Sequence, residues 1–506
     1  MPPTLSRRQM LATLGSAALT AGSANAMPPI TTDVVRGRVI VADEAGRVGI
    51  PGVMVSNGRD VVLSGGDGSW SLPARAHDDI FVIKPPHLRL AGSKGAGPRL
   101  AADARPANSG EAITFVLEPS PEPEQFDVIL LTDTQPDSEE ELDFVRDDIL
   151  ARIIERPAAF GIHHGDVVSD ALHLLPRYQE LLRATGLTWH HCVGNHDLDR
   201  DAAGNYAARA TWRRTFGPRL YAFRCARAVF FVLDNVDLEV AQGDRYEGRF
   251  GPEQLAFVQQ VLTQVPRDHL VVLSAHIPLR SYLAPDSPSD VTADYADLLA
   301  LLADRPHAVS FAGHLHTTEH HYLELPGTAS GLPSHHHHVL TAASGSWWSG
   351  PRDARGIPCA DSTDGSPNGF HVLRVNGSSY QTDFVPAGRK DLPHLRAGLH
   401  PSSTGGTCDL MVNVFDGGPR TRVSFRIGSE EWRPLHLQAM HDPLVCRMLQ
   451  GAGPRKAWVE PTLSSHIWIA PLAQHPGCLP LRVELRVVDE YGRRNETSVL
   501  LEQRSA

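Results

Sequence analysis

The sequence predicts a layered α/β core carried between two β-rich modules. Two observations lead to that prediction. Over residues 124–345 short apolar strands alternate with helical stretches, the pattern of sheets and helices stacked in layers. On either side, at 33–118 and 346–506, alternating apolar runs are broken by Gly- and Asp-containing turns, which signal hairpins. The 506 residues are enough for two to four domains with their own cores. With 42% hydrophobic and 21% charged residues, the chain is neither globally disordered nor a polytopic membrane protein. Lys+Arg 47 against Asp+Glu 58 gives a net charge of −11 without any basic run. Duplex nucleic acid is therefore not an expected partner, because backbone binding needs a cationic face. The 26 histidines call for a search for metal ligands.

The first element is a processing signal. Arg7-Arg8 stands before the apolar stretch 11–21, and Ala24-Asn25-Ala26 offers a small-residue cleavage site. Residues 1–26 thus read as a twin-arginine signal peptide, and the mature protein is expected to be exported, most simply to a periplasm. No later apolar run reaches the ~18 residues a membrane span needs, so no transmembrane anchor is expected. Six cysteines, Cys192, Cys225, Cys359, Cys408, Cys446 and Cys478, are widely spaced without a CxxC. Folding in a reducing compartment before export favours free thiols, and the spacing decides no pairing.

The second element, 33–118, holds short strands around the turns Pro51-Gly52 and Asp67-Gly68 and resembles small β-sandwich modules that precede some exported enzymes. A Pro-rich linker, 119–123, follows. In the third element apolar strands at 127–131, 228–233, 269–273 and 308–311 alternate with helical stretches such as 139–154 and 252–265. The fourth is again punctuated by turns, at Asn376-Gly377, Asp416-Gly417 and Tyr491-Gly492.

Five polar clusters lie just after strands of the third element, where α/β proteins build sites. They are Asp133-Thr134-Gln135, Gly165-Asp166, Gly194-Asn195-His196-Asp197, Ala275-His276 and Gly313-His314-Leu315-His316. Each supplies oxygen or imidazole donors, and two neighbouring divalent ions need a mixed O/N shell with a bridging carboxylate. One such cluster alone is an ordinary turn or a buried, hydrogen-bonded His. Five in this order point to a metal centre.

This order of motifs, D-x-Q, G-D, G-N-H-D, H and G-H-x-H, resembles the signature of the calcineurin-like metallophosphoesterases. The resemblance implies a layered α/β/β/α core, with flanking domains like those of some bacterial members. It implies Asp133, Gln135 and His316 as ligands of a first metal, and Asn195, His276 and His314 as ligands of a second, with Asp166 bridging. It implies His196 beside the substrate, aiding the leaving group, with Asp170 or Asp197 orienting its imidazole. The implied cofactors are two divalent ions (Mn, Zn or Fe), the implied nucleophile a metal-bridging hydroxide, and the implied partner a small phosphate mono- or diester. The family more often has His where this chain has Gln135. A site with altered metal choice and a decayed site are the competing readings, and the intact remaining ligands favour the former.

Competing functions are a nucleotide or pyrophosphate hydrolase, and a non-catalytic exported binding protein around a relic metal site. Other residues carry weaker expectations. His335 to His338 read as a stray-metal site or, in preference, a solvated loop, and His320 and His321 as cleft lining or a half-wet strand. Trp347, Trp348, Arg352 and Arg355 fit either a substrate rim or an interdomain contact. Trp189 and Trp212 read as core or helix packing.

Overall fold

The computed structural model describes residues 33–502 except 44–45, 76–77, 92–100, 104–111, 203, 239–245, 327–333, 389–393, 402–407, 452, 454 and 473–479. The expected signal peptide, residues 1–26, and Cys478 lie outside the described residues. Cys192, Cys225, Cys408 and Cys446 are free thiols.

Two sheets form the core. In the first, strands run in the order Trp189–His191, Phe160–His163, Gln125–Leu131, Gly369–Asn376 and Ser379–Pro386. The first three are mutually parallel and the last two antiparallel additions. In the second the order is Tyr221–Cys225, Ala228–Val232, Leu270–Ser274, Ala308–Ala312, His335–Val339 and Glu319–Leu323, with a parallel centre and antiparallel edges.

Side-chain alternation stacks these sheets. Along Gln125–Leu131, Val128 and Leu130 face the second sheet with Phe160 and Phe230. Ile129 and Leu131 point the other way, into Leu142, Val145, Ile149 and Tyr178 of the covering helices. The first of these helices begins at Glu139, where the Ser138 hydroxyl accepts a hydrogen bond from the Glu141 amide. The outer face of the second sheet is closed by the helix Gly251–Thr263, whose Phe257 meets Phe231 edge-on. The result is an α/β/β/α stack.

Phe81 of the N-terminal module packs on the other side of Phe257. That module is two small sheets around Val39, Val55, Leu72 and Leu117. The C-terminal module pairs two four-stranded sheets around Leu410, Phe425, Trp468 and Leu485.

Two sequence-based expectations are corrected here. The core does not end at 345. Gly369–Asn376 pairs antiparallel with Gln125–Leu131, from Gln125↔Asn376 to Leu130↔His371, so the segment 369–386 completes the first sheet. Alternation identifies a strand but not the sheet that receives it. His335 to His338 form no solvated loop. They are a wholly buried strand inside the second sheet, beside the equally buried His320 and His321. Burial keeps these four imidazoles neutral, pushing His335 and His338 down to about 3. Two of them use ring nitrogens inside the fold: His335 and His337 share the Ser310 hydroxyl, and the Leu279 amide donates to His337 Nε2. Trp189 and Trp212 are buried, as expected.

Candidate metal centre

The strands of both sheets end at one edge, and the loops that follow carry the polar clusters. Six residues of these loops adopt the left-handed backbone region: Asp133, Gln135, Asp166, Asp170, His314 and His316. Short turns of this kind bend the chain directly after the strand and keep each side chain at the strand end. Glycines allow the loops to converge. A Cβ on Gly313 would fall on Thr132 Oγ1 and Asp133 Oδ2, and one on Gly194 would fall on the Asp166 amide.

Asp166 sits at the meeting point, its side chain 1% exposed. On one side of it are Asp133, Gln135 and His316. Asp133 Oδ2 accepts hydrogen bonds from the Thr132 hydroxyl and the His314 amide, which leaves Oδ1 to face His316 Nε2 at 3.7 Å. Gln135 Nε2 donates to Asp166 Oδ2 at 2.5 Å. Asp133 Oδ1, Gln135 Oε1 and His316 Nε2 are all buried without a hydrogen-bond partner. Orphaned acceptors gathered in this way are what a cation site requires, and the residues present fit one.

On the other side are Asn195, His276 and His314. His276 Nε2 lies 3.3 Å from Asp166 Oδ1, 3.0 Å from Asn195 Oδ1 and 3.2 Å from His314 Nδ1. These atoms likewise crowd together with lone pairs inward. Asp166, His276 and His314 form one compact group able to hold a metal ion.

Backbone carbonyls fix the tautomers. His276 Nδ1–H donates to His164 O at 2.8 Å, His316 Nδ1–H to Gly345 O at 2.5 Å and His314 Nε2–H to Ser289 O at 3.0 Å. Each histidine thus turns its free nitrogen toward the centre, the orientation that metal-ligating imidazoles need. Burial opposes a charge on Asp166, but His276 and His196 offset it and hold the carboxyl far below its usual range. Burial likewise opposes a charge on His276, and Asp166 overcomes it, lifting the imidazole to about 9. Burial dominates at His316 and keeps it neutral, as a ligand must be.

His196 stands at the open side, its side chain 28% exposed. Its Nδ1 lies 2.9 Å from Asp170 Oδ1, and Arg200 Nε donates to the same oxygen at 2.6 Å. Although burial works against it, Asp166 and then Asp170 raise the His196 pKa. Of the two candidate carboxylates, Asp170 is the one in contact with the His196 ring. Asp197 is turned away and fully buried, accepting hydrogen bonds from the amides of Val167, Val168 and Gly194. It braces the Asp166 and Asn195 loops against each other.

Trp347 and Trp348 take different roles. The Trp347 ring stacks on His316 at 3.7 Å between centroids and 15° between planes. Its far side packs with Val445, Leu449 and Val459 of the C-terminal module. Trp348 is buried against Phe144 and donates to Thr134 O. Arg352 pairs with Glu140, and Arg355 with Asp148 and Asp353, so these cations are committed to acidic partners rather than to a substrate rim. Sequence reasoning missed Arg200, whose only signal is its spacing four residues after His196. It also missed the Gly345 carbonyl, a backbone group that no residue type announces.

Oxygen and imidazole donors converging at the strand ends of a four-layered stack define a metal-dependent phosphoesterase. Residues 126–318 match the calcineurin-like phosphoesterase family, and residues 337–494 match the family described as the C terminal of calcineurin-like phosphoesterase. The chain belongs to the calcineurin-like phosphoesterases, whose activity depends on divalent metal ions. Among solved structures it is similar to the purple acid phosphatase PPD1 isolated from yellow lupin (Lupinus luteus) seeds. That similarity is 12% identity over 76% of this chain and 71% of the lupin chain, with a TM-score of 0.37. No curated protein matches the chain.

Proposed function

We propose that the protein is an exported dinuclear phosphoesterase that hydrolyses a small phosphate mono- or diester. The observation that carries this reading is the position of Asp166, a lone carboxylate between two inward-facing donor sets. Asp133, Gln135 and His316 would hold one ion, Asn195, His276 and His314 the other, and Asp166 both. Two bound divalent ions would polarise the phosphoryl oxygens and lower the pKa of an attacking water. The chain's own residues orient the reaction. Asp170 accepts from His196 Nδ1 and so directs Nε2 outward, where it donates a proton to the departing oxygen. Arg200 pins Asp170 from the other side. Export rests on Arg7-Arg8, the apolar run behind it and the Ala24-Asn25-Ala26 site. Among the described residues no helix is long and apolar enough to cross a membrane.

Metal content and turnover of p-nitrophenyl phosphate and bis-p-nitrophenyl phosphate test this reading. Chelated protein should be inactive and recover with added divalent ions. Asp166→Asn should lose most bound metal and at least ~10²-fold in rate, because both ions lose their shared anion. An Asp166→Asn protein within tenfold of wild type would refute the dinuclear assignment.

A further inference from the structure

Away from this centre, the buried histidine strand meets the C-terminal module at a second set of metal-ligating atoms. His320 and His338 are directly paired across neighbouring strands, and both side chains are fully buried. Asp416, in the turn after Cys408–Val414, reaches them from the C-terminal module in a left-handed conformation, φ 63°. Its Oδ1 lies 2.8 Å from His338 Nε2 and 3.2 Å from His320 Nε2. The three atoms fall within 4.8 Å of one another. Neither ring nitrogen of His338 makes a hydrogen bond, since Nε2 faces Asp416 without the alignment one requires. Leaving such a group unsatisfied is destabilising, so a buried imidazole in this state calls for another partner.

The surrounding groups can set the lone pairs. His320 Nδ1 lies 2.9 Å from His336 Nε2, and His336 Nδ1 lies 2.9 Å from the Tyr380 hydroxyl. His320 Nε2 lies 3.2 Å from both the backbone carbonyl oxygen and Oδ1 of Asp416; with its proton moved to Nδ1, His320 would donate to His336 and His336 to Tyr380, which would free His320 Nε2 to ligate an ion. The Thr341 amide donates to His371 Nε2, which places the His371 proton on Nδ1, 3.6 Å from Asp416 Oδ1. His371 thereby steadies the carboxylate from outside the cluster.

We infer that His320 Nε2, His338 Nε2 and Asp416 Oδ1 form a second, buried site for a Zn²⁺-like cation that fastens the core sheet to the C-terminal module. Tetrahedral zinc with ligand bonds near 2.0–2.1 Å separates its ligand atoms by about 3.3 Å, close to the spacing here. Two imidazoles and one carboxylate suit Zn²⁺ better than Mg²⁺ or Ca²⁺, which prefer oxygen shells. The two rings stack at 3.9 Å and 22°, so both nitrogens approach from one side. Closing on an ion requires the His338 ring to tilt, and no hydrogen bond restrains it. Three protein ligands leave a fourth position open, and it is the full burial of both imidazoles that makes the site structural rather than catalytic.

The test uses full-length Asp166→Asn protein with and without His338→Gln, loaded with Zn²⁺, desalted and counted for metal. His338→Gln should remove one zinc ion per chain, whatever the Asp166 centre retains. The comparison of Asp166→Asn with wild type reads the proposed catalytic centre separately. EDTA should lower Tm in Asp166→Asn and leave Asp166→Asn/His338→Gln unchanged. Equal zinc counts with and without His338 would overturn the inference. Should the double variant fail to fold, Co²⁺ loading of Asp166→Asn decides. An intense tetrahedral visible band supports the buried site, and its absence overturns it.

Discussion

Gln135 is where the site departs from the commoner pattern, and its contacts show what an amide offers there. Its Nε2 donates to Asp166 while its Oε1 remains without a hydrogen-bond partner. An imidazole could present one nitrogen to an ion but could not place a donor and an acceptor in the same way. The side of Asp166 that carries Gln135 is therefore oxygen-rich, which suits Mn²⁺ or Mg²⁺. We expect one firmly held and one exchangeable ion, with Mn²⁺ raising activity most. Gln135→His should tighten the exchangeable site and shift it toward Zn²⁺, as metal content after dialysis would reveal. Two tightly held zinc ions in both proteins would contradict this. For His196, replacement by Ala should leave metal content intact and lower the rate by ~10²–10⁴-fold, the usual scale of acid–base assistance. Asp170→Asn should cost less and change the pH profile. The carboxylate favours the imidazolium, so its loss lowers the His196 pKa, and the high-pH limb should move to lower pH. An unmoved limb would argue against Asp170 as the positioning residue.

At the scale of elements, tight turns after parallel strands carry the donors, and ion pairs hold the neighbouring segments. Asp234 follows the strand Ala228–Val232 and is fully buried, pairing with the 2%-exposed Arg209 and with Arg219. Burial opposes its charge, yet Arg209 and Arg219 hold its pKa below the usual value. A depressed carboxylate pKa contributes stability that is complete above the unfolded value near 3.8 and disappears as pH falls through the folded value. Asp234→Asn should destabilise the fold by about 3–5 kcal/mol at neutral pH, because Arg209 is left buried and uncompensated. The difference from wild type should shrink in acid denaturation below pH 4. A constant difference across that range would show that packing, not charge, accounts for the loss.

The whole molecule joins three parts, and contacts of the C-terminal one reach the centre. Trp347 is pressed between His316 and the C-terminal cluster of Val445, Leu449 and Val459, and Lys456 pairs with Asp137 and Glu141 next to the D-x-Q turn. The C-terminal module thus forms part of the wall of the site. The proposed twin-arginine signal would export this assembly already folded. Arg7→Lys/Arg8→Lys should trap the precursor inside the cell, seen by fractionation and the mass of the retained chain. Mature protein still appearing outside would point to another route.

The sequence by itself determined the order of the donors and the alternation of strands and helices. Motifs such as Gly165-Asp166 and Gly313-His314 are local, and a turn needs only its own residues to place a side chain beyond a strand. Sequence also narrowed the partner of His196 to two carboxylates, and tertiary structure chose between them, because Asp170 and Asp197 differ in which loop their oxygens meet. It left the His335–His338 strand unreadable, since polar imidazoles mimic a solvated segment until Ser310, His320 and Tyr380 supply their partners. Only the tertiary structure decided that 369–386 completes the first sheet and that Asp416 reaches the buried histidines. Pairings between residues far apart in the chain depend on how the sheets stack, and no local pattern encodes that.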